Sequence, residues 1–340
     1  MNKFLPTLLI ALVFVTCKPS LAQENTLNIY SSRHYDTDEK LYSGFTDQTG
    51  IEIKRVDGKD DALIARLEQE GELAPADLFI TVDAGRLWRA EQAGLFQPIN
   101  SEILEDKIPA NLRHPDGNWF GFSTRARILV YNTEKIEEGT LTSYEDLADP
   151  KWKGRVCVRS SGNIYNQSLL ASMIAQDGEQ AAKEWAKGVL DNLARKPQGG
   201  DTDQIKAVAA GVCDIALVNS YYFFRMQRSE NAEDQATVEN LAITFPDQNG
   251  KGTHVNISGA GVLKSAKNKN AAVKFLEYLT TDAAQAYFAN GNNEYPVVEG
   301  VEVNDVVEAN KGFKIQDVNV SKFGEHQKQA KMIFDEIEFP

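Results

Sequence analysis

Four of the 11 tyrosines stand where a phenol hydroxyl has chemistry to do. Tyr35 ends the segment Ser31-Ser-Arg-His-Tyr35, Tyr165 ends Ser160-Ser-Gly-Asn-Ile-Tyr165, and the tandem Tyr221-Tyr222 follows Val218-Asn-Ser. Each segment lies just past an apolar, β-branched run. That delivers the hydroxyls to the carboxyl ends of strands, where open α/β sheets bind ligands. Two chemistries use such a set. Ring faces attract an organic cation such as a polyamine or betaine, and the hydroxyl is then irrelevant. A hard cation of high charge takes the oxygens as phenolates instead. A free phenol titrates near ~10, so the metal itself must supply the energy that drives the protons off. Ferric iron has that charge and accepts tyrosinate. Magnesium and calcium select carboxylate and carbonyl oxygen. For one tyrosine, a half-buried ring whose hydroxyl finds a partner is explanation enough, and Tyr42 and Tyr278, inside helical stretches, fit it. A tandem pair with two further strand-end tyrosines asks for more.

The elements that must position these residues alternate between strand and helix. Residues 26–32 read as a strand. Asp36 or Thr37 then caps a helix whose Leu41 and Phe45 share a face, ended by Gly50. A strand at 51–56, a helix at 60–69, a strand at 77–82 and a helix capped by Asp83 and closed by Gly94 follow. The pattern restarts after Pro150, with a strand at 155–160, a helix at 167–175, and a helix at 203–211 leading into a strand around Cys213. Helical stretches at 270–279 and 283–289 break at 291–296. Such βαβ repetition implies a mainly parallel sheet covered by helices on both faces. Segments 128–131 and 254–263 are the candidates for chain crossings between two α/β lobes. Two such lobes, joined by strands around a central cleft, form a venus-flytrap architecture.

The chain has 340 residues, 42% hydrophobic and 25% charged, which suits two globular domains with an ample core. Residues 4–16 form an apolar run behind Lys3, too short to span a bilayer as a standard helix, and Ser20-Leu21-Ala22 supplies the small residues of a cleavage site. Residues 1–22 are therefore expected to be a signal peptide, with a lipidated Cys17 as the alternative. The formal net charge is −13, and losing Lys3 and Lys18 with the leader takes it to −15. A surface this acidic repels phosphate backbones and excludes nucleic acid as a partner. Export also bears on the remaining cysteines. Cys157 and Cys213 both sit in strand-like segments and in an oxidising compartment read as one disulfide, the alternative being two buried thiols. No phosphate-binding loop, dinucleotide fingerprint, zinc-protease motif or nucleophile elbow is present. An exported enzyme with a tyrosine acid or base would find no partnered nucleophile here.

At these residues the chain resembles a known family. Tyr30-Ser-Ser-Arg-His-Tyr35, Gly121-Phe-Ser-Thr-Arg-Ala-Arg127, Ser160 to Tyr165, Asn219-Ser-Tyr-Tyr222 and Asn293-Glu-Tyr-Pro296 are similar, in order, to segments of the periplasmic ferric-binding proteins of ABC iron importers, and most of all to the FutA type of cyanobacteria. The resemblance implies a type II periplasmic-binding-protein fold. Its first lobe would hold residues 23–124 plus about 259–300, and its second about 125–258 plus 301–340. It implies Fe(III) held by Tyr35, Tyr165, Tyr221 and Tyr222, with His34 standing where some members offer an imidazole. Four phenolates on Fe(III) leave one negative charge, so a nearby arginine is expected, Arg125 or Arg225. A monomeric carrier in the periplasm, delivering iron to an inner-membrane permease and catalysing nothing, completes that reading.

Overall fold

The computed structural model describes residues 25–33, 35 and 38–340; the expected leader, Cys17, His34 and the capping residues Asp36 and Thr37 lie outside the described residues. The first strands fall where the alternation places them: β1 (Thr26–Ser31), β2 (Glu52–Asp57) and β3 (Leu78–Val82). β1 pairs in parallel with both others. The helix Asp38–Thr49 buries Leu41, Tyr42 and Phe45. Phe45 meets Phe275 edge-on at 5.0 Å, Tyr42 stacks on the same ring at 6.0 Å, and Tyr278 packs 5.5 Å from Phe45. Burying side chains of this size stabilises by roughly 1.5–3 kcal/mol each. Gly94 takes φ 71°, a conformation other residues resist, just past the helix Ala84–Gln92.

The remaining strands are β4 (Phe120–Asn132), β5 (Val156–Cys157), β6 (Ile215–Asn219), β7 (Leu241–Thr244), β8 (Val255–Val262) and β9 (Tyr295–Pro296). Their order is β2-β1-β3-β8-β4-β6-β5, with β7 and β9 also on β4. β4 is buried along its whole length and serves two sheets. Its first half, to Ala126, runs antiparallel to β8, which in turn pairs antiparallel with β3. From Arg127 onward it runs antiparallel to β6 and β7. The architecture is thus α/β and two-lobed, with the chain crossing at residues 126–127 and 254–255. Arg127 N donates to the His254 carbonyl at 2.9 Å there. The buried Tyr144 hydroxyl ties both crossing strands, donating to the Arg127 carbonyl and accepting from His254 N.

Two expectations need correction. The sheet is mixed rather than mainly parallel, because strands that pass between lobes return in the opposite sense to the βαβ units on either side. The second lobe's strands are also displaced: β5 is only two residues long, since Ser160-Ser-Gly leaves the sheet to turn toward a helix, and Cys213 lies in the turn before β6 rather than on it. The disulfide forms nonetheless, joining Cys157 and Cys213 across Cα atoms 5.9 Å apart. Thiol titration of the unfolded, unreduced protein is expected to find neither residue free; two reactive thiols would refute the bond. No helix among the described residues is long and apolar enough to cross a membrane.

Candidate metal centre

The tyrosines reach one another from opposite sides of the crossing strands. Tyr35 lies beyond the end of β1, and its carbonyl accepts from Asp38 N as the chain enters the first helix. Tyr165 stands in the first turn of the helix Ile164–Asp177, whose cap, Asn163, accepts from Tyr165 N at 3.1 Å. Tyr221 and Tyr222 open the helix Ser220–Gln227, which follows β6 without a break. Helix N-termini after second-lobe strands thus present three of the rings, and the first lobe presents the fourth. Tyr165 Oη and Tyr221 Oη are 3.5 Å apart. The Tyr35 ring meets Tyr221 edge-on at 6.3 Å, and the Tyr221 and Tyr222 rings overlap at 4.2 Å. Tyr221 is buried, and the other three are half-buried.

Arginines surround this group. Arg125, expected from its motif, is fully buried, donates to Ser258 Oγ at 3.0 Å, and has no hydrogen-bond partner among the described residues for Nε or Nη1. Arg225 stacks 5.2 Å over the Tyr222 ring from the exposed side. Three further arginines are in contact with the rings. Arg33 lies 4.9 Å over Tyr35, while Arg159 and Arg127 lie 5.4 and 5.9 Å from the Tyr165 ring centre. Arg127 and Arg159 share the buried Asp201, which also accepts from Asn219 N just before the tandem tyrosines. Arg127 reaches Asn166, beside Tyr165, at 2.7 Å. Arg33 pairs with Asp38 at 2.7 Å and with Glu294 at 3.1 Å. Arg33, Arg127 and Glu294 sit inside the segments that carry the family resemblance, and membership of those segments was the available signal. Asp201 carried none.

The charges facing the rings are mostly positive. Burial pushes the phenols of Tyr35, Tyr221 and Tyr222 well above their ordinary value, so these three hold their protons at neutral pH. Burial alone would lower the Arg125 guanidinium; Glu294, then Tyr221, Tyr35 and Tyr165, hold it above its usual value. Its Nε and Nη1, without hydrogen-bond partners among the described residues, are donors available to an anionic group. Among the described residues, no three His, Cys, Asp or Glu side chains come close enough to hold a metal, so the phenols are the available hard donors.

Residues 74–321 match the bacterial extracellular solute-binding proteins. The chain belongs to that family. Iron uptake protein A1 of Synechocystis sp. is 50% identical to it over 314 residues, 92% of this chain and 87% of that protein. The solved structure of Trichodesmium IdiA (FutA) in complex with iron and citrate ligands is 54% identical, with a TM-score of 0.90 over 93% of this chain and 100% of that one. The ferric binding protein from Campylobacter jejuni is 43% identical, with a TM-score of 0.87 over 92% of this chain and 100% of that one. As a solute-binding protein of this set, the chain has the two-lobed type II periplasmic-binding-protein fold with a cleft between its lobes.

Proposed function

We propose that the chain is an exported, periplasmic carrier that captures Fe(III) as its cargo between two lobes and hands it to an ABC permease of the inner membrane. Tyr35, Tyr165, Tyr221 and Tyr222 are its phenolate ligands, and His34 is the next donor by sequence. The observation that carries this reading is the meeting of four tyrosines beside a buried arginine, Arg125, that interacts electrostatically with Tyr221, Tyr35 and Tyr165. The names of the similar proteins support it. An organic-cation cage is disfavoured because guanidinium groups already lie over the Tyr35, Tyr165 and Tyr222 rings, where such a ligand would sit.

The mechanism is capture without catalysis. Residues 23–124 plus about 259–300 form the lobe that brings Tyr35, and about 125–258 plus 301–340 the lobe that brings the other three. Only closure unites the donors, so the cargo favours the closed state by its differential affinity. The reaction on the protein is loss of phenol protons to water as the metal binds. The carrier acts as a monomer. Metal analysis of protein purified from the exported fraction tests this: one ferric ion per chain and a coloured sample are expected, and a colourless, iron-free protein that takes up none on loading would overturn it. Small-angle scattering is expected to give a smaller radius of gyration with Fe(III) than without. An unchanged profile at saturating iron would mean that the lobes do not move.

A further inference from the structure

We propose that Glu294 is a positioning residue that sets how tightly the site holds its cation, by fixing Arg125 and Arg33 and offsetting their charge. The proposal rests on the ferric reading above. Glu294 is fully buried, and its carboxylate faces Arg33 and Ser258. The chain delivers it inward through a tight turn. Asn293, at φ 59°, ends the helix Asp282–Asn292 in the left-handed conformation, and Glu294 N returns to the Phe288 carbonyl at 3.2 Å. Its two oxygens then divide the work. Oε2 accepts from Arg33 Nη2 at 3.1 Å. Oε1 accepts from Ser258 Oγ at 3.0 Å, and that hydroxyl in turn accepts from Arg125 Nη2, itself 3.8 Å from Oε1. One Arg125 nitrogen is so anchored, and the other two are left free of partners among the described residues.

The two sides of the site differ in charge because of this residue. On the second-lobe side, Arg127 and Arg159 share the single carboxylate of Asp201, leaving one positive charge against the rings. On the other side, Arg33 faces Asp38 and Glu294 while Arg125 faces Glu294, two guanidiniums against two carboxylates, leaving none. Loading turns four neutral phenols into a centre of charge −1. A buried carboxylate beside it opposes the loaded state, and the arginines favour it. A carrier must release its cargo as well as bind it, and Glu294 is placed to limit retention without occupying the coordination sphere.

Iron-loaded protein titrated with citrate, read by its visible band, tests the assignment. Glu294→Gln keeps the volume and most hydrogen bonds but removes the charge. It is expected to need about tenfold more citrate for half-removal, the size of a one-charge change across several ångströms of partly screened interior, and to raise the Fe(III)/Fe(II) midpoint potential. Glu294→Asp keeps the charge one methylene back and is expected to stay within about twofold of the parent; this variant decides the matter alone if the other does not fold. Equal or weaker retention in Glu294→Gln, or a loss beyond about tenfold in Glu294→Asp, would make Glu294 a structural brace and overturn the proposal. Both variants are compared with a parent that binds ferric iron; a parent that binds none overturns the ferric reading itself, a result separate from either variant's.

Discussion

Replacing Tyr222 by Phe is expected to lower ferric affinity by at least about a hundredfold, more than the 10–100-fold typical of losing an outer-shell partner. The substitution keeps the ring, its overlap with Tyr221 and the Arg225 stack, and removes one donor oxygen. The visible band should shift as well, because phenolate-to-iron charge transfer loses one of its donors. An aromatic cage would barely register the change, so unaltered binding and colour would sink the phenolate assignment. The same chemistry fixes the pH dependence. A free phenol holds its proton at neutral pH, and burial raises Tyr35, Tyr221 and Tyr222 further. Each coordinated phenol must therefore release a proton on loading. Affinity then falls as pH falls, with no plateau between about pH 8 and pH 5, since that whole range lies below the ordinary phenol value. Proton release measured in weakly buffered solution should exceed two per iron; release near zero would show that the oxygens bind as neutral groups or not at all.

The tyrosine cluster was legible because it is written in short segments. Tyr35, Tyr165 and the tandem pair each follow an apolar run, and strand ends converge in an α/β fold. The first three strands were legible for a similar reason: Leu27 and Ile29 alternate in β1, and Leu78 to Val82 form one buried run between turn residues. What surrounds the tyrosines was not. Arg33 and Glu294 lie 261 residues apart, and although both fall in segments of the resemblance, nothing in the sequence pairs them; both are buried and paired. Nothing local distinguishes Asp201, the first residue of a helix, from any other acid favoured in a first turn. Sheet direction was lost in the same way. Periodicity reports burial along a strand, whereas the antiparallel run of β4 against β8 and β6 is set by where the chain crosses between lobes. Cys213 shows the limit at residue scale: Val212 and Ile215 around it are β-branched, but Cys213 lies between Gly211, at φ 71°, and the start of β6.

Asp201 carries the largest expected effect on stability. Its carboxylate is fully buried and accepts from Arg127 Nη1 at 2.5 Å, Arg159 Nη1 at 2.8 Å and Asn219 N at 2.9 Å. Asp201→Ala leaves a buried guanidinium and a backbone N–H without their acceptor, and breaking a buried ion pair from one side typically destabilises by about 3–5 kcal/mol. An exposed pair such as Lys187 with Asp191, by contrast, contributes no more than about 1 kcal/mol. Urea unfolding at neutral pH should therefore move to a much lower midpoint in Asp201→Ala with an unchanged slope, and hardly at all in Asp191→Ala. The damage should also reach the site. Arg127 is held by Asp201 and itself holds Asn166 and Asn219, the residues next to Tyr165 and just before Tyr221, so the folded fraction of the variant should lose iron faster. Asp201→Asn separates the two effects: it keeps one acceptor oxygen for the neighbouring donors, and its midpoint should fall between the parent and the alanine variant. A midpoint for Asp201→Ala matching that of Asp191→Ala would mean that Arg127 and Arg159 find other partners, and that the helix N-termini bearing the tyrosines are held by packing alone.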